Sequence, residues 1–212
     1  MQFVKYVVGI WLFTASIIAA IVVVSRTQAI PPALQALHFK DCELPCWIGI
    51  IPGKTTIGEA ERNIANTYNA IYPLFGDSVV GYWEFVVADK ETGIQIRVKL
   101  NSITGQPSSA IVNDITIIQD EPGPTVSLGE LESLLGSPEN ILESPPDDIP
   151  RSDIIFNNGR IHSFTTKNEC NRVTDDEPIM FLVIYAQFPA DYALVSHPLT
   201  WAGYNKCNRF VP

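Results

Sequence analysis

The sequence predicts an α+β fold: an N-terminal transmembrane helix followed by two tandem helix-plus-antiparallel-sheet repeats. Three observations carry this. Tyr6 to Val24 (YVVGIWLFTASIIAAIVVV) contains no charge. A turn-and-cap phrase at Pro52, PGKTTIGEAE, returns at Pro122 as PGPTVSLGELE. After each copy the hydrophobic period changes from about 3.6 to about 2, the signature of a helix giving way to strands.

The apolar segment, residues 6-24, is long enough to span a membrane, because about 20 helical residues cross a hydrocarbon layer of roughly 30 Å. An uncleaved signal anchor over residues 1-26 is the first reading. The alternative is secretion after cleavage ahead of Ile30, where Thr27-Gln28-Ala29 supplies small residues at the right spacing. Either way the body is expected outside the cytoplasm. Four cysteines, Cys42, Cys46, Cys170 and Cys207, all follow the apolar segment. An even set there suits an oxidising compartment. Three pairings exist; Cys42 with Cys46 and Cys170 with Cys207 is the favoured one. Reduced thiols or zinc are the alternatives, and only one close cysteine pair exists where zinc commonly uses two. HFKD before Cys42 lacks the small apolar residues of a lipidation site.

Charge narrows the partners. The chain is formally -9, and all 23 acidic residues lie at or after Asp41; setting aside Lys5 and Arg26 leaves 12 basic against 23 acidic, a body of -11. No basic face is available to displace counterions from phosphates, so nucleic acid is rejected as a partner. Anionic lipid is rejected as an electrostatic partner for the same reason, which leaves the apolar helix as the membrane contact.

Residues 27-51 read as a linker carrying the first cysteine pair. The first repeat is placed at 52-121 and the second at 122-190. In each, Pro-Gly makes a turn and a hydroxyl caps a helix: Thr56 with Glu59, and Ser127 with Glu130, each at capping-box spacing. Ile57, Ala60, Ile64 and Tyr68 form the first apolar stripe. Leu128, Leu131, Leu134 and Leu135 form the second, stopped by Gly136 and Pro138. Three strands are expected after the first helix, at Val80 to Ala88, Ile94 to Leu100 and Ala110 to Ile118, with Gly93 in the first turn. Three follow the second, at Asp153 to Asn157, Arg160 to Thr166 and Ile179 to Phe188, with Asn158-Gly159 as a hairpin turn. The tail, 191-212, is expected to pack on the second repeat.

IIPGKTTIGEAERNI and PGPTVSLGELESLLGSP resemble the opening of small envelope modules in which a capped helix precedes a curved antiparallel sheet: BamE/SmpA-type assembly lipoproteins and the tandem-repeat β-lactamase inhibitor protein. CELPCWIGIIPGKTT also resembles bacterial envelope proteins with a Cys-x-x-x-Cys-Trp opening. The resemblance covers about 15 residues per copy. It implies a protein-binding or scaffolding role and transfers no site residue, since this chain lacks the lipidation cysteine of the first group and carries an apolar helix foreign to the second.

Catalytic patterns are missing. His38, His162 and His197 lack metal-site spacing, and no nucleophile elbow, phosphate loop or dinucleotide fingerprint occurs. Asp147-Asp148 and Asp175-Asp176-Glu177 lack the alternating ligands of a calcium loop. No cofactor or metal is expected. The remaining leads are aromatic: Trp47, Tyr82, Trp83 and Trp201 as partner-binding residues. Tyr82 and Trp83 must point to opposite faces of a strand, so one of them belongs to the core. The expected function is therefore a non-enzymatic, membrane-anchored extracytoplasmic module binding a protein or envelope component. The alternative is an extracytoplasmic hydrolase with an unrecognised acidic site, motivated by the surplus of carboxylates.

Overall fold

The computed structural model describes residues 6, 10–20, 30–77, 81–102, 110–119, 125–143, 151–166, 173–187 and 198–200. The chain divides into two compact units, Met1–Ile30 and Pro31–Pro212. In the first, residues 10–20 are helical (α1). Thr14 and Ser16 turn their hydroxyls back onto the carbonyls of Ile10 and Leu12. Among the described residues no helix is long and apolar enough to cross a membrane. Of the expected span, residues 7–9 and 21–24 lie outside the described residues.

The second unit is α+β, built on one antiparallel sheet. Its elements are α2 (Pro32–Gln35), α3 (Ile57–Thr67), β1 (Tyr68–Asp77), β2 (Tyr82–Asp89), β3 (Gln95–Ser102), β4 (Val112–Gln119), α4 (Leu128–Leu135), β5 (Asn140–Glu143), β6 (Arg151–Phe156), β7 (Ile161–Thr166), β8 (Ile179–Tyr185) and β9 (Pro198–Thr200). The nine strands run in the order β1-β2-β3-β4-β8-β7-β6-β5-β9, so β4 and β8 meet in the middle.

Local chemistry accounts for the helices. Thr56 accepts from the Glu59 N–H while the Glu59 carboxylate accepts from the Thr56 N–H; Ser127 and Glu130 do the same. Two orphan donors are satisfied at each start, worth roughly 1 kcal/mol per cap. The capping bonds also hold the Glu59 carboxyl below its ordinary range, the Thr56 N–H first among them and its hydroxyl second. Helix α3 buries Ile57, Ala60 and Ile64. Each isoleucine contributes roughly 1.5–3 kcal/mol by leaving water. Helix α4 buries Leu128 and Leu131 and stops at Gly136, whose φ of 85° suits glycine.

The two helix starts are tied to the sheet by matching bonds. Ile57 N–H donates to Ala110 and Val112 N–H to Thr55, bracketing a Thr56–Ile111 bridge. Leu128 N–H donates to Glu177 and Ile179 N–H to Val126, bracketing a Ser127–Pro178 bridge. Pairing between β4 and β8 runs from Asp114 with Tyr185 to Ile118 with Phe181, centred on Thr116 with Val183. The matched bridges place Asp114 at the position of Phe181, Thr116 at that of Val183 and Ile118 at that of Tyr185. The β4–β8 register is therefore symmetric about the Thr116–Val183 pair.

Helix α3 is followed by four strands rather than the three expected, and α4 by five, the last of which, β9, lies in the tail. Strands β1 and β5 are additions, and Tyr68, read as part of the helix stripe, has extended backbone and begins β1. The stretch read as a linker is another departure. Ala33, Leu34, Leu37, Phe39, Trp47, Ile48 and Ile50 are buried and belong to the same core as α3, α4 and the sheet. Apolar residues at that density fold in rather than span a gap. The two regions read as repeats, 52-121 and 122-190, share one sheet within one unit. Of the tail, residues 198–200 pair with β5, and the rest lies outside the described residues.

Candidate interaction face

One face of the sheet carries the helices, and alternation decides which side chains meet them. Trp83, Phe85 and Val87 of β2, Ile96, Val98 and Leu100 of β3, and Ile115 and Ile117 of β4 are all buried there. The neighbours that point the other way, Tyr82, Glu84, Val86, Arg97, Lys99, Asn101, Asp114, Thr116 and Ile118, remain half-exposed. This open face is the candidate site.

Register sets its rows. Tyr82, Asn101, Asp114 and Tyr185 lie side by side across β2, β3, β4 and β8. The next row is Glu84, Lys99, Thr116 and Val183, and it continues through His162 to Ile155. Glu84 accepts from the Tyr82 hydroxyl and faces Arg97 Nη1 at 3.3 Å and Lys99 Nζ at 4.0 Å. Lys99 also sits 5.8 Å above the Tyr82 ring. Burial pushes the Tyr82 phenol up to about 12, with the Glu84 hydrogen bond and charge adding to it. It is a fixed hydrogen-bond donor at neutral pH. Asn101 Nδ2 donates to Asp114 Oδ1 at 2.6 Å, and Asn113 Nδ2 to Oδ2 at 3.2 Å.

Beyond β8 the same face closes. Val183, His162, Phe164, Ile155 and Asp153 are buried. Phe164 stacks on Phe181 with centroids 4.2 Å apart, and His162 meets Tyr185 edge-on at 5.0 Å. Burial lowers His162 to about 4, although a Gly159 backbone hydrogen bond acts in the opposite sense. His162 is thus neutral at physiological pH, a core histidine.

A second polar cluster joins the amino-terminal stretch to the β2–β3 turn. Asp89 accepts from the Glu91 and Thr92 N–H groups and the Thr92 hydroxyl, and lies 2.7 Å from His38 Nε2; His38 Nδ1 lies 3.1 Å from Asp41. Burial would raise Asp89, but the Thr92 and His38 hydrogen bonds outweigh it and hold the carboxyl below its ordinary value. These bonds fasten the amino-terminal stretch to the β2–β3 turn. Tyr68 donates to the Ala36 carbonyl and Trp47 to that of Leu37. Burial, then the charges of Asp89 and Asp41, raise the Tyr68 phenol far above its ordinary range.

Among the aromatic leads, Tyr82 is on the open face and Trp83 is in the core. Trp47 is fully buried against Tyr68, so it cannot anchor a partner. Its indole N–H finds a carbonyl inside the fold, which removes the cost that would keep it at the surface. Trp201 lies outside the described residues. Cys42 and Cys46 form a disulfide with Cα atoms 5.7 Å apart; Cys170 and Cys207 lie outside the described residues. No group of three or more His, Cys, Asp or Glu among the described residues is placed to hold a metal ion. A pocket bordered by Leu37, Leu131 and Phe181 has a volume of about 10 Å³, room for one water.

Sequence reasoning pointed to Tyr82 and missed Glu84, Arg97, Lys99, Asn101 and Asp114. The signal was available for four of them, since Glu84, Arg97, Lys99 and Asp114 each alternate with a core residue in a strand already recognised, whereas Asn101 lies just beyond the expected end at Leu100. No family model, curated protein or solved structure matches the chain.

Proposed function

We propose that this chain is a membrane-anchored, non-enzymatic module of the extracytoplasmic face, and that it binds a protein partner on the open side of β2, β3 and β4. The observation that carries the reading is the contrast along one row of the sheet. Glu84, Lys99 and Thr116 are partly exposed, the Glu84 side chain by 12% and that of Lys99 by 29%, whereas Ile155, His162 and Val183 are buried. A half-exposed sheet face with an oriented tyrosine, an arginine and satisfied polar groups has the composition of a recognition surface.

Anchoring by residues 6-24 is supported by the exposure of Ile10, Trp11, Leu12 and Phe13, each more than 60% open. A run of that kind is costly in water and stable in lipid. The back-bonded hydroxyls of Thr14 and Ser16 fit the same setting, since an apolar medium offers no other partner. The Cys42–Cys46 disulfide supports an oxidising compartment. We further read the matched caps, bridges and central register as the mark of a duplicated helix-plus-sheet unit, in keeping with the envelope-module resemblance. A second bridge between Cys170 and Cys207 belongs to this reading.

The test is site-specific photocrosslinking of the full chain in its native membrane. A benzophenone side chain at Val86 or Thr116 is expected to capture one discrete partner, and one at Glu61, exposed on α3, is expected not to. Capture from Glu61 alone would move the binding surface to the helix side, and turnover of an envelope substrate that depends on Asp89 or Asp114 would replace binding with hydrolysis.

A further inference from the structure

Resting on the binding reading, we infer that the partner meets this face with a cationic side chain, lysine or arginine, seated on Asp114. Charge complementarity chooses the occupant. Among the described side chains of β2, β3 and β4, the open face has two carboxylates, Glu84 and Asp114, and they are served differently. Glu84 already faces two cations, Arg97 at 3.3 Å and Lys99 at 4.0 Å, and takes the Tyr82 hydroxyl as well. Among the described residues Asp114 is held by neutral groups, the amides of Asn101 at 2.6 Å and Asn113 at 3.2 Å.

Two amide donors orient a carboxylate without neutralising it, since each supplies a dipole and no charge. Its two oxygens hold four lone-pair sites in all, so room remains for a bidentate or single cationic donor arriving from outside the sheet. Tyr185, its half-exposed cross-strand neighbour on β8, supplies an aromatic wall beside it. A guanidinium or ammonium stem can lie against such a wall while its charged end reaches the carboxylate. The long-range field acts the same way, because a body of 12 basic and 23 acidic residues draws basic partners and repels acidic ones. Arg97 and Lys99 oppose a cation in their own two rows, beside Val86 and beside Glu84, but are drawn onto Glu84. They therefore confine the cation to the Asp114 row rather than excluding it from the face.

The experiment titrates the full chain in detergent micelles with two synthetic probes, acetyl-Thr-Arg-Thr-Arg-Thr-amide and its glutamate counterpart acetyl-Thr-Glu-Thr-Glu-Thr-amide. Binding is read by calorimetry and by the Asp114 carboxyl carbon resonance. The arginine peptide is expected to bind, to shift that resonance and to weaken as salt rises. Asp114→Asn is expected to reduce affinity about tenfold, the scale of one lost charged contact. Glu61→Gln removes an equal charge from the exposed face of α3 and is expected to leave affinity unchanged. Equal weakening by both substitutions, an unmoved Asp114 resonance, or preference for the glutamate peptide would each overturn the assignment. If crosslinks from Val86 still capture a partner through a neutral or acidic segment, binding at the face survives and the cationic contact does not.

Discussion

Glu84, Lys99 and Thr116 on one side of the β4–β8 seam lie at the same distances from it as Ile155, His162 and Val183 on the other. The equivalence follows from the register. Thr116 pairs with Val183 at the centre; Lys99 and His162 flank that pair; Glu84 and Ile155 come next on either side. One scaffold thus holds two solutions to the same geometric problem. A strand with its outward positions in water reads as alternating, and one buried on both sides loses the alternation. The outward residues of β2 to β4 stay partly exposed because the helix-covered face already supplies their core. Those of β6 and β7 are part of the core.

The largest expected effect comes from placing a charge on the closed half. Ile155→Lys should lower stability by about 3–5 kcal/mol, through a desolvated ammonium and lost apolar burial. Thr116→Lys on the open side should cost less than about 0.5 kcal/mol. Urea denaturation of the two variants measures the difference, and equal midpoints would erase the distinction between halves.

Acid should act on the closed half next. His162 stays neutral in the folded protein down to about 4, whereas the unfolded chain takes its proton near the ordinary value of 6.5. Its contribution is complete above that value and is lost as pH falls through this window, reaching about 3 kcal/mol. His162→Gln should flatten the acid limb between those two pH values. Asp89, held below its ordinary value by Thr92 and His38, adds its loss only at lower pH, so that part of the profile should survive the substitution.

A smaller change is expected from opening the Cys42–Cys46 loop. The double substitution Cys42→Ala with Cys46→Ala should lower stability by about 2 kcal/mol, the loop-entropy value for so short a ring. Near-ultraviolet dichroism of Trp47 reports whether the buried stretch around it loosens at the same time. Smallest are the caps: Thr56→Ala and Ser127→Ala should each cost about 1 kcal/mol. Equal costs would sharpen the correspondence between the two helix starts, and unequal ones would show that the bridges around them differ in strength.

Much of this was legible in the sequence, and the exceptions have physical causes. The caps, β2 to β4, β6 to β8, the turns at Gly93 and Asn158-Gly159, and the Cys42–Cys46 pair all follow from local chemistry. Gly93 takes φ of 71°, and Asn158 and Gly159 take 53° and 76°. Strand β1 was hidden because Pro73 and Gly76 interrupt its pattern, and it carries register shifts on both sides of Tyr72-Pro73. Strand β5 has only four residues, too few to show a period. Trp47 looked like an anchor because sequence cannot reveal that Leu37 would present a carbonyl to its indole. The candidate face was missed for another reason. Glu84, Lys99 and Asp114 are ordinary outward residues one by one, and only the strand order gathers them into rows.

On this one face Lys99 is partly exposed and His162 buried, and the partner proposed above would cover Lys99. Maleimide labelling of full chains carrying Lys99→Cys or His162→Cys, with and without native membranes, tests it directly. The account predicts labelling at position 99 at least about 100-fold faster than at 162, where access requires unfolding, and a slower rate at 99 once membranes are added. Equal rates at the two positions, or a rate at 99 that membranes leave unchanged, would contradict it.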